Sequence, residues 1–229
     1  TELVNRAIEL MLDVLDSHAD AGAVGCKLLN DDDSVQTSCI QSFPTLLNQA
    51  LSADVLRAWL PRSRFWGMAP LYDERKGPSS VDVISGACLM LRRGAFERVG
   101  HFSEEYFMYA EDLDLCYKLR QAGYTNYFVP QAVVRHFGGG STASAPSEFS
   151  LLMTRESVWR FLVKSRGPAY AGAYRLTTAV AALGRLSLLL VIWPFGWVSG
   201  RAKSQTQSFR KWLTILQWGI NTKRAAIPA

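Results

Sequence analysis

The sequence predicts an α/β layered domain over residues 1–149, followed by a basic, apolar helical tail over 150–229. Strand-like apolar runs alternate with helix-patterned segments through the first part. Apolar residues make up 48% of the 229 positions, enough for one core and an appendage. Charge is the third observation: the net +5 conceals a tail, 157–229, with 11 Lys or Arg and no Asp or Glu, so a net −6 falls on the first 156 residues.

From the N-terminus, Leu3, Val4, Ala7, Ile8, Met11, Leu12 and Leu15 recur at helical spacing, which predicts one amphipathic helix over Glu2–Ser17. Ala23–Leu29 reads as a buried strand, Asn30–Ser34 as a turn and Val35–Gln41 as a second strand. Asp31, Asp32 and Asp33 are metal-ligand types, but Asp at a hairpin tip is first a turn residue. Residues 43–78, rich in Trp, Pro and Arg, form a long irregular connection suited to a substrate loop. Val81–Leu91 is strand-like, and the small residues Ser85, Gly86 and Ala87 allow close approach of a ligand or of a packed helix. A helix over Asp112–Ala122 is ended by Gly123, with Glu111, Asp112 and Asp114 in its first turn. Tyr127–Val134 is a further strand, running into His136 and a Gly138-Gly139-Gly140 loop.

The tail opens with an amphipathic helix over Ser150–Lys164. Ala179–Val198 is almost wholly apolar, but its uninterrupted part, Leu186–Val198, has 13 residues where a bilayer crossing needs about 20, so an interfacial or re-entrant segment is expected. Trp193, Trp197, Trp212 and Trp218 lie among basic residues, a mixture that suits lipid headgroups. The expected partner of the tail is therefore an anionic membrane surface and not a nucleic acid. Four cysteines without a Cys-x-x-Cys pair suggest neither a zinc knuckle nor a disulfide framework. No secretory leader opens the chain, which starts at Thr1 without an initiator Met; a segment of a longer polypeptide or a processed chain is expected.

The strongest signal is SGACLMLRRGAFERVGHFSEEYFMYAEDLDLCYKLRQAGY from Ser85, followed by a strand ending VVRHFGGGS. This stretch resembles the C-terminal half of the catalytic domain of family 2 inverting glycosyltransferases, in particular the rhamnosyltransferase-like branch that builds bacterial surface polysaccharides. The resemblance covers about residues 1–165 and implies a partial GT-A fold. It also implies that the Glu111-Asp112 pair supplies the general base, assigned to Asp112, which takes the acceptor hydroxyl's proton as the oxygen attacks the anomeric carbon. A helix N-terminus holds such a carboxylate ionised and fixed. Helix capping is the competing account of these three acids.

His136 stands where the family often places a histidine, available to a divalent cation or to the diphosphate, and Gly138 and Gly139 offer backbone N–H groups to phosphates. Asp82, Ser85, Gly86, Arg92 and Asp114 are further candidate substrate contacts, with surface ion pairing the alternative for Asp82 and Arg92. Implied with them are a nucleotide-diphospho-sugar donor, dTDP-rhamnose first among them, Mg²⁺ or Mn²⁺, and a glycan or polyprenyl-linked acceptor at the cytoplasmic face of the bacterial inner membrane. Two departures stand out. The family's Gly-Gly-Phe-Asp-Glu appears as Gly100-His101-Phe102-Ser103-Glu104. The nucleotide-binding half with its Asp-x-Asp motif is not found in these residues, so donor binding is expected to need an upstream segment. The competing function classes are a catalytically silent membrane-bound module and, ranked last, a metal-dependent hydrolase.

Overall fold

The computed structural model describes residues 1–51, 69–137, 148–198 and 202–221. The chain divides into two compact units, Thr1–Phe43 with Ala53–Ala143 and Pro44–Ser52 with Ser144–Ala229.

The first unit is mixed α/β. Its strands are β1 (Glu2–Leu3), β2 (Ala21–Leu29), β3 (Ile40–Gln41), β4 (Ser79–Val81), β5 (Val83–Ile84), β6 (Leu89–Leu91) and β7 (Thr125–Arg135). Its helices are α1 (Ala7–Ser17), α3 (Arg93–Arg98) and α4 (Glu111–Gln121); α2 (Leu46–Ala50) belongs to the second unit. β2 and β7 run parallel at the sheet centre, β6 lies antiparallel on the far side of β2, and β1 and β4 both pair with β7. β3 and β5 form a separate antiparallel ribbon.

The β2 sequence AGAVGCKLL is buried at eight of its nine positions, so the strand needs cover on both faces. α1 and α4 both pack against β2 and β7. Lys27, the one charged residue in this run, is 7% exposed and ion-paired with Glu74. Pro130 is tolerated inside β7 because the register jumps there: Val129 faces Cys26 and Val133 faces Lys27, leaving Pro130–Ala132 without partners on β2. Gly25 is required by contact, since a Cβ there would lie 2.1 Å from Ile84 Cγ2 on β5.

Three sequence expectations change. Glu2–Leu3 is not the first turn of a helix but an edge strand opposite Val134 and Arg135, and the helix begins only at Ala7. Val35–Gln41 pairs at Val35 with Leu29, then tightens into a 3₁₀ turn over Thr37–Cys39 before β3. Val81–Leu91 is not one strand: β4, β5 and β6 join different partners, and Ser85–Cys88 turns the chain between them. The Asn30–Ser34 turn is as expected, closed by Asn30 N–H to Ser34 O at 2.9 Å with Asp33 at φ 62°. Its aspartates serve the turn: Asp32 Oδ1 accepts Ser34 N–H at 3.0 Å, and Asp33 pairs with Arg135 at 2.5 Å.

The second unit is helical, with α2, α5 (Glu148–Arg166), α6 (Pro168–Val198) and α7 (Ala202–Gly219). α6 is longer than expected. It is continuous for 31 residues, because Arg185 does not interrupt it: the guanidinium folds onto the packed face, 4.4 Å over the Trp212 ring, and donates to Ala50 O. Residues 168–193 are long and apolar enough to cross a membrane by length and composition. Inside the unit, Glu156 accepts from Trp218 Nε1 at 3.1 Å and lies 3.7 Å from Arg175, whose guanidinium stacks 4.6 Å over Trp218.

Candidate active site

The site is built at the start of α4. Immediately before the helix, Tyr109 and Ala110 both adopt φ 65°, a left-handed conformation that L-residues avoid. Ala110 is the N-cap and makes no side-chain capping bond. These two residues turn the chain so that Glu111, Asp112 and Asp114 leave the first turn in different directions.

Asp112 is half-buried and held by two backbone amides. Its Oδ1 accepts Leu113 N–H at 2.8 Å and its Oδ2 accepts Gly86 N–H at 2.9 Å. Gly86 is exposed, and a Cβ placed on it would sit 3.6 Å from Asp112 Cβ, so Gly86 brings the loop backbone to the carboxylate. Ser85 fixes that loop: its N–H donates to Cys39 O at 3.0 Å and its Oγ accepts Ala87 N–H at 3.3 Å. Behind the pair, Ile84 N–H donates to Cys116 Sγ at 3.4 Å, one turn further along α4, and burial pushes the Cys116 thiol up to about 12.

Glu111 has one carboxylate oxygen, Oε2, that is buried and without a hydrogen-bond partner. Burial, and after it the neighbouring Asp112 charge, holds its carboxyl above the usual range. Asp114 turns inward. It is fully buried, accepts from Ser103 Oγ at 2.6 Å and Tyr106 Oη at 3.3 Å, and lies 3.7 Å from Lys118 Nζ. Lys118 also donates to His101 O at 2.5 Å and Ser103 Oγ at 3.0 Å. The structure thus gives Asp114 a tethering role: with Lys118 it fastens the 101–106 loop to α4. The Ser103 that departs from the family motif is one of its partners.

Asp82 accepts Phe43 N–H at 3.2 Å and pairs with Arg120 near the far end of α4, as a cross-brace. Arg92 is placed away from Asp112. β6 runs antiparallel to β2 with Leu89 opposite Gly25 and Leu91 opposite Ala23, so the chain reaches Arg92 at the N-terminal end of β2. There the guanidinium binds the Leu15, His18 and Ala21 carbonyls, 2.9 Å for Ala21, and caps the C-terminus of α1. Residue type alone gave no sign of that clamp.

His136 N–H donates to Leu29 O at 3.0 Å, and its Nδ1 meets Gln36 Oε1 at 2.9 Å. No hydrogen bond joins it to Asp112. Leu119 packs against Gly22, and Asp112 stands seven residues up α4, on the order of 10 Å, which brings it level with the middle of β2. Leu29, which holds His136, is a few strand residues further on, again on the order of 10 Å. Among the described residues no group of three or more His, Cys, Asp or Glu could hold a metal ion. Those residues do not by themselves form a divalent-cation site. Gly138, Gly139 and Gly140 lie outside the described residues.

The candidate site is thus a carboxylate fixed at a helix start beside an exposed glycine loop, on a mixed α/β sheet. Residues 4–159 match the family model described as "Glycosyltransferase like family 2", and the chain belongs to that family. It is similar to N-acetylglucosaminyl-diphospho-decaprenol L-rhamnosyltransferase of Mycobacterium tuberculosis, 38% identical over 164 residues, 67% of this chain and 52% of that protein. It is also similar to rhamnosyltransferase WbbL of Escherichia coli, 34% identical over 86 residues, 38% of this chain and 32% of that one. The chain thus spans about half the length of the mycobacterial relative.

Proposed function

We propose that this chain carries the acceptor-side part of an inverting GT-A glycosyltransferase, moving rhamnose from dTDP-rhamnose to a hydroxyl of a lipid-linked glycan at the cytoplasmic face of the bacterial inner membrane. The observation that carries the reading is the double backbone grip on Asp112. A carboxylate so held keeps one direction, and its uncoordinated lone pairs can accept the acceptor's proton as the new C–O bond forms opposite the departing nucleoside diphosphate. Glu111 beside it, with its buried unpartnered oxygen, sets the local electrostatics and is the second member of the pair. His136, with Gly138 and Gly139, is the proposed diphosphate side, far enough from Asp112 to leave room for a sugar ring. The half-exposed Phe102, Phe107 and Met108 give the preceding loop an apolar face suited to a lipid-borne acceptor. The rhamnosyltransferases to which the chain is similar support the choice of sugar.

The test is transfer of labelled rhamnose to N-acetylglucosaminyl-diphospho-polyprenol, run on the 229-residue chain and on the product of the complete reading frame. Asp112→Asn should lower kcat by about 10²–10⁴ while leaving the fold intact, the range a positioned general base contributes. An unchanged kcat removes Asp112 from the chemistry. No transfer by either protein favours the silent membrane-bound module.

A further inference from the structure

We infer that the second unit lies flat on an anionic phospholipid bilayer, with one face of α6 in the acyl region, and does not cross it. The inference rests on the proposed function only in that a lipid-borne acceptor would bring the protein to a bilayer.

α6 exposes a stripe. Leu176 is 66% exposed, Val180 63%, Leu183 56%, Leu190 62% and Val191 70%. At 100° per residue these five fall within about 100° of one another, with the exposed Gly172 and Ser187 among them and the exposed Gly184 at the edge. No charged side chain interrupts the stripe. The opposite side of the helix carries the buried Ala171, Tyr174, Thr178, Ala182 and Leu186 and packs on α5 and α7. A continuous apolar surface of this kind on a soluble protein marks a binding face. Charge complementarity names the occupant: residues 157–229 carry 11 Lys or Arg and no acid, which suits lipid phosphates and not an ordinary protein groove.

The partner helix decides between lying and spanning. α7 runs antiparallel along α6, with Phe209 6.0 Å from Trp193, Trp212 under Arg185 and Gly219 against Ala179. Arg210 and Lys211 are exposed on α7 and lie level with the 185–193 part of α6. If 168–193 crossed the hydrocarbon, about 30 Å thick, α7 would be drawn in with it, and these two cations would face lipid tails. Set parallel to the surface, the same hairpin puts the stripe in the acyl region and leaves Arg210 and Lys211 among headgroups.

The test needs neither donor nor acceptor, so its outcome is independent of sugar transfer. The full chain is mixed with vesicles of phosphatidylcholine alone or with about 30% phosphatidylglycerol. Co-sedimentation is expected with the anionic vesicles, weakened by salt, and lost in a Val180→Glu/Leu183→Glu variant whose circular dichroism and unfolding midpoint match the parent. For depth, a fluorophore is placed at Leu176→Cys or Val191→Cys in a Cys88→Ser background and quenched by lipids brominated at different acyl positions. The two sites are 15 residues apart, about 22 Å along the helix. Equal, shallow depths support the flat placement, whereas a spanning 168–193 helix would put position 176 deep, about 7 Å from the midplane, and position 191 near an interface, a result that overturns the inference. Absence of binding to either vesicle overturns the inference, as does concentration-dependent dimerisation that the Val180→Glu/Leu183→Glu change abolishes.

Discussion

Asp112 and Asp114 stand two residues apart in one helical turn, and their environments predict opposite consequences of removal. Asp114 is fully buried, with Ser103 Oγ at 2.6 Å, Tyr106 Oη at 3.3 Å and Lys118 Nζ at 3.7 Å, and the Lys118 side chain is only 17% exposed. Asp114→Ala removes the buried carboxylate shared by Lys118, Ser103 Oγ and Tyr106 Oη, a loss of about 3–5 kcal/mol for a broken buried pair. Asp112→Asn keeps the shape and one acceptor oxygen at a half-exposed helix start, so about 1 kcal/mol is expected. Tryptophans occur in both units, Trp59 and Trp66 in the first and Trp159, Trp193, Trp197, Trp212 and Trp218 in the second, so whole-chain fluorescence does not isolate the unit that is changed. Native-state amide exchange at β2 and β7 does. It should show the opening free energy of those strands falling by several kcal/mol in Asp114→Ala, with the Ser103–Tyr106 amides losing protection first. A fall below about 1 kcal/mol, or equal losses in the two variants, would refute the division of labour.

Two further perturbations test the surroundings. Gly25→Ala places a methyl 2.1 Å from Ile84 Cγ2, where Ile84 is 1% exposed, so overpacking should destabilise the sheet by about 1–3 kcal/mol. Urea unfolding should find the Gly25→Ala/Ile84→Ala double variant less destabilised than the two single changes added together, and strict additivity would rule the clash out. Glu111 has its carboxyl pKa raised above 4.5 by burial and by Asp112, so in that window the folded state binds the proton more tightly than the unfolded one. Its contribution to stability is greatest below pH about 4.5 and declines as pH rises through the folded value. Unfolding midpoints measured from pH 4 to 8 should show that slope in the parent and not in Glu111→Gln, which should be the more stable at neutral pH.

The parts of the fold legible in the sequence are those whose pattern has one physical meaning. The short apolar run of β2, bounded by turn residues, reads as a strand covered on both faces, and the Gly123 stop with its φ of 87° ends α4 as expected. Where local pattern and tertiary pairing compete, pairing wins. Leu3 and Val4 fit a helical period, yet Leu3 pairs with Val134 and Val4 N–H donates to Val133 O at 3.1 Å. The site was legible to the level of residue type: acids before a helix and small residues near 86 were visible, while the hydrogen bond joining them spans 26 positions. The inward turn of Asp114 and the Arg92 clamp on α1 depend on partners distant in sequence, and no local spacing encodes them.

The backbone before α4 bears on whether the acids merely begin a helix. A start selected for stability would place Ser, Thr or Asp at the N-cap in extended conformation, where its side chain meets a free amide. This helix instead begins after two consecutive L-residues at φ 65°, each costing on the order of 1–2 kcal/mol, with an alanine at the cap that binds nothing. Asp112 does accept one first-turn amide, but its other oxygen is committed to Gly86, on a loop 26 residues away, which capping does not require. The strain is sustained by the Asp114–Ser103–Tyr106–Lys118 cluster on the preceding loop. What the strained turn gains is direction: Asp114 faces the interior while Asp112 meets the Gly86 amide on the exposed glycine loop. Strain held in place by a buried network, with one carboxylate turned to an exposed loop, supports the proposed role of Asp112 as a group set before its substrate arrives.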